Sequence, residues 1–157
     1  MNMIPVRPRA EESAAFKGQG PLTCAQTPCS AETLACLPAS ARASGDLAAF
    51  DWAAQTSRSR LATCLTRIHN ALADPTRSVA WFKGAGFFAY ADTRPPGHFR
   101  EGKTTVHASW QGDDESFPAP RVLPLLTRLI HDPVFSMAVH MDRNNVVESV
   151  QFGKSIK

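Results

Sequence analysis

Five histidines, four cysteines and one basic loop carrying an aromatic hold most of the chemical potential of this 157-residue chain. His107 and His140 fall in two alternating stretches, Thr104–Trp110 and Phe135–Met141. Alternation puts Thr105, His107 and Ser109 on one strand face and Thr104, Val106, Ala108 and Trp110 on the other. His140 shares its face with Ser136 and Ala138, opposite Phe135, Met137, Val139 and Met141. Imidazoles on polar strand faces can shuttle protons. With Asp92 or Asp142 they could complete a two-histidine, one-carboxylate metal site. Spacing alone does not make the two strands neighbours. A solvated sheet face is therefore the expectation, with His107 and His140 as metal candidates if the strands converge. His69 is expected on the solvent side of a helix, and His131 at a helix end, where a protonated imidazole complements the terminal carbonyls.

Cys24, Cys29 and Cys36 are spaced C-x4-C-x6-C, and Cys64 stands alone. A structural zinc site wants two close ligand pairs, and no histidine lies within 30 residues of Cys36. The stretch before residue 45 has no apolar core of the secretory type. A reducing compartment follows, with three free thiols near the N-terminus and a buried Cys64. Asp113, Asp114 and Glu115 could bind a metal or transfer protons, but they also suit a helix N-terminus capped by Ser116. Gly84-Ala-Gly86 lacks the third glycine of a dinucleotide fingerprint, and the P-loop, zinc-protease and esterase signatures are absent. No catalytic residue and no cofactor is expected.

Charge is more informative. The net charge is +3, yet residues 57–110 hold 8 basic and 3 acidic side chains, while the segments on either side are each at −1. Within that excess, Arg94, His98, Phe99, Arg100 and Lys103 form one loop, and Arg58 and Arg60 stand at a helix start. Such a loop can grip an acidic protein through bidentate guanidinium contacts. It can also neutralise phosphates while Phe99 stacks on a base.

The elements that position these groups follow from periodicity. Leu61, Cys64, Leu65, Ile68 and Leu72 mark an amphipathic helix that Asp74-Pro75 ends. Asp46 begins a shorter helix with Leu47 and Phe50. Val79–Lys83 and Phe87–Asp92 read as strand, then come the 94–103 loop and Thr104–Trp110. Val122, Leu125, Leu126, Leu129 and Ile130 give a second main helix, and Phe135–Met141 and Val146–Phe152 form a hairpin about Asp142–Asn145. The order is α-β-β-(β)-α-β-β, a small α+β domain with an antiparallel sheet of four or five strands.

Residues 1–45 contain 27 Ala, Ser, Pro, Gly, Thr, Gln or Asn and only 6 large apolar side chains. That composition predicts a flexible leader, with 46–157 as the folded domain. No apolar run is long enough to span a bilayer. The expectation is a small non-enzymatic protein-binding protein of the bacterial effector, secretion-adaptor, immunity or anti-defence inhibitor type. It would be cytoplasmic, or exported without a cleavable signal peptide. Its partner would be an acidic protein met through the basic loop and sheet surface, with nucleic-acid binding through residues 57–103 as the alternative and no membrane insertion.

Overall fold

The computed structural model describes residues 22–26, 28–110, 118 and 133–156. Two short helices come first, α1 (Ala31–Leu34) and α2 (Ala39–Arg42). Single 3-10 turns follow at Leu47–Ala49 and Trp52–Ala54, where one helix was expected. The long helix α3 (Arg58–Leu72) and α4 (Pro75–Gly84) precede four strands. These are β1 (Phe88–Thr93), β2 (Thr104–Trp110), β3 (Pro133–Met141) and β4 (Val147–Ile156). The strands form an antiparallel sheet in chain order, so the fold is the expected α+β class.

α3 starts where Ser57 accepts the Arg60 N–H and stops at Ala73 in the left-handed conformation. Leu61, Leu65, Ile68 and Leu72 are buried along its inner stripe. The stretch Val79–Lys83, expected as strand, lies within α4. The Asp74 carboxylate accepts the Thr76 N–H and Pro75 occupies the first helical turn, so the pair that ends one helix also begins the next. α4 packs on β1 and β2 and α3 packs on β4, covering one face of the sheet. That face supplies Ala89, Val106, Ala108, Met137, Val139 and Met141 to the core.

The expected leader divides differently. Residues 1–21 lie outside the described residues, whereas Cys24, Cys36, Leu37 and Ala41 are in the core. Backbone bonds tie this arm down, with the Ala25 N–H on the Ala71 carbonyl and the Leu47 N–H on the Leu22 carbonyl. Arg77 donates to the carbonyls of Leu72 and Thr23. The thiols are not free. Cys24 pairs with Cys29, and Cys36 pairs with Cys64 across 28 residues. A segment poor in large apolar groups is thus held by cross-links and backbone pairing, which composition does not weigh. The expected second main helix, with Asp113–Glu115 and His131, lies outside the described residues.

Candidate functional site

An up-and-down sheet brings its first and third turns to the same end. The β1–β2 loop and the β3–β4 turn therefore lie side by side. The loop is well bonded internally. Two backbone bonds close its neck, Arg94 N–H donating to the Lys103 carbonyl and Gly102 N–H to the Arg94 carbonyl. Glu101 and Lys103 N–H groups close two further turns on His98 and Arg100, and the Arg100 N–H donates to His98 Nδ1. Phe99 is left 84% exposed at the tip, stacked on His98 at 4.5 Å with the Arg100 guanidinium 5.7 Å from its ring centre.

Arg143, on the neighbouring turn, completes the surface. Its Nε donates to the Glu101 carbonyl at 2.7 Å. Its stem rests over Gly102, whose φ of +79° suits glycine and whose missing side chain makes room for the arginine. Two of the loop's cations are engaged with carboxylates: Arg94 with Asp92 at 3.4 Å and Lys103 with Glu148 at 2.9 Å. Among the described residues, Arg100 and Arg143 pair with no carboxylate.

The expected basic set is therefore split. Asn70, near the C-terminal end of α3, accepts the Val147 N–H at 2.7 Å and fixes that end beside the hairpin turns. Arg58 and Arg60 lie at the other end of α3, about 15–18 Å away along its axis at 1.5 Å per residue. Arg143 was missed by the sequence reading. The signal that finds it is the parity of the meander, which sends residues 94–103 and 142–146 to one end.

His107 and His140 do lie on adjacent strands and on one face, offset diagonally, because His107 pairs with Ala138 and His140 with Thr105. His140 bonds the Thr105 hydroxyl through Nδ1 at 3.0 Å and the Gln151 carbonyl oxygen through Nε2 at 3.1 Å. Among the described residues no three His, Cys, Asp or Glu side chains gather as a metal set. Tyr90 stacks on His107 at 4.8 Å. Partial burial holds the His107 imidazole below its ordinary pKa, aided by His140 and Arg94 and opposed by Asp92.

His69 is on the inner side of α3, not the solvent side. It is fully buried, with Nδ1 2.8 Å from the Ser78 hydroxyl and its ring stacked on Phe82 at 4.8 Å. Burial pushes its pKa down to about 3. With no opening to solvent, this pair is a packing element of the core.

No family model, curated protein or solved structure matches the chain. No helix among the described residues is long and apolar enough to cross a membrane.

Proposed function

We propose that the chain is a small non-enzymatic protein-binding protein that grips an acidic partner through its paired hairpin tips and the adjoining sheet surface. One observation carries this reading: Arg143 is fastened to the Glu101 carbonyl of the same basic loop that exposes Phe99 beside the Arg100 guanidinium. Aromatic and arginine side chains are the residues that most often dominate protein interfaces. A loop already ordered by its own hydrogen bonds loses little entropy on binding. Guanidinium groups without internal carboxylates are open to bidentate contacts with those of a partner. Two disulfides support maturation in an oxidising compartment, which favours export over residence in the cytoplasm. Effector, adaptor and inhibitor proteins all accommodate such a surface.

The test is affinity capture from the native host with three proteins: wild type, Phe99→Ala with Arg100→Glu and Arg143→Glu, and Arg58→Glu with Arg60→Glu. The tip variant is expected to lose a partner that both other proteins retain. Equal recovery by all three would remove the tips as the interface. Salt-sensitive binding of mixed oligonucleotides, lost in the tip variant, would instead assign the tips to nucleic acid.

A further inference from the structure

The sheet face turned away from the helices has a depression where large side chains are missing. Ser109, Ser136 and Gly153 lie in one register row across β2, β3 and β4, and Ala138 sits in the next row. Gly153 keeps the floor low, because a Cβ there would come within 2.8 Å of the Ser136 hydroxyl. Phe88 and Tyr90, 58% and 50% exposed, rise on the β1 side, and Gln151 stands on β4 opposite. The trough between them has a volume of about 360 Å³. Small-molecule sites run from about 300 to 1,000 Å³ and combine aromatic walls with a few polar groups.

Among the described residues, the polar groups here are all uncharged. Gln151 gives its carbonyl oxygen to His140, which leaves its amide N–H groups for the trough. The Tyr90, Ser109 and Ser136 hydroxyls make no hydrogen bond among the described residues. Hydroxyls and a neutral imidazole can each donate and accept. The His107 pKa, lowered by partial burial, keeps that ring neutral at physiological pH. A phosphate or carboxylate would meet no opposite charge among the described residues that line the trough. An alkyl chain would bury these polar groups without partners, at about 1–3 kcal/mol each. A sugar ring meets both requirements, since it offers an apolar C–H face and hydroxyls that also donate and accept.

We propose that this trough binds an uncharged saccharide. Phe88 stacks against the C–H face of a sugar ring, and His107, Ser109, Ser136 and Gln151 hydrogen-bond its hydroxyls. The site is separate from the hairpin tips. The trough residue of β1 nearest the tips is Tyr90, three residues and about 10 Å, at about 3.3 Å each, before the strand end at Thr93.

The experiment is an amide-shift titration of the full chain with cellobiose, maltose and diacetylchitobiose, and with glucose 6-phosphate as the charged probe. At least one neutral disaccharide is expected to give saturable shifts confined to residues 88–90, 107–109, 136–138 and 151–153. Ala138→Leu and Gly153→Val each fill the trough from the outer face and are expected to weaken that binding by about tenfold or more, which is 1.4 kcal/mol. Phe99→Ala is expected to leave it unchanged, so this site and the tips fail or stand separately. If one filling variant does not fold, the other decides. No shifts with any neutral disaccharide, undiminished binding in the filled variant, or preference for glucose 6-phosphate would each overturn the proposal.

Discussion

The two ends of this protein are secured by different means. The helical end, residues 22–84, is held by two disulfides, a buried histidine and an aromatic cluster in which Trp81 donates its indole N–H to the Leu47 carbonyl at 2.8 Å. The hairpin end is held by backbone bonds and by one arginine laid over one glycine. The disulfides and most of the buried aromatics lie in the first, while the exposed Phe99 and the guanidiniums without internal carboxylates lie in the second. Changes at the helical end should therefore cost folding energy. Changes at the tips should cost recognition and little else.

At neutral pH the largest effect tests the helical end. Replacing Cys36 and Cys64 by serine opens a loop of 28 residues, and the chain-entropy relation gives a loss of about 3–4 kcal/mol. Denaturant unfolding of the oxidised wild type against the double variant measures it. A loss below about 1 kcal/mol would mean that backbone pairing alone holds the arm, and the contrast between the ends would weaken.

The second effect concerns His69. Its folded pKa of about 3 lies below the unfolded value of 6.5, so the unfolded chain binds a proton that the folded chain refuses. Stability from this group is complete above pH 6.5 and falls as the pH drops towards 3, by about 1.4 kcal/mol per unit. Unfolding midpoints across that window should show the slope, and His69→Phe should flatten it. An unchanged slope in that variant would assign acid sensitivity to other groups.

The smallest effect sharpens the contrast from the other side. Gly102→Ala puts a side chain at φ +79° and against the Arg143 stem, costing about 1–2 kcal/mol. Arg143 should lose its hold on the loop. In hydrogen exchange, the amides of residues 100–103 should lose protection while those of α3 keep theirs. Uniform loss across the molecule would show that the two ends unfold as one unit.

Much of the hairpin end was legible in the sequence, and much of the helical end was not. The alternation of Thr104–Trp110 and Phe135–Met141 is a direct print of one buried face, and the structure keeps that assignment, while the opposite face is half-buried rather than open and Thr105 on it is buried. The Leu61–Leu72 stripe is equally direct. What failed has a common cause in partnerships distant along the chain. Cys36 looks like a loose thiol until Cys64 is beside it. His69 looks solvated until Ser78 arrives on α4, and α4 was hidden because Trp81 and Phe82 resemble strand residues. The basic loop was readable in composition. Its division into carboxylate-bound Arg94 and Lys103, and Arg100 without such a partner, was not, because Glu148 comes from another hairpin.

The Cys36–Cys64 bond also sets how the molecule would respond to tension. A pull between the two termini passes through the sulfur bridge and enters α3 at Cys64, bypassing the residues between the two cysteines. That stretch, with α2 and both 3-10 turns, would carry no load while the bridge is intact. Reduction would release roughly 100 Å of additional contour length, at about 3.5 Å per residue. The oxidised protein is the shorter tether.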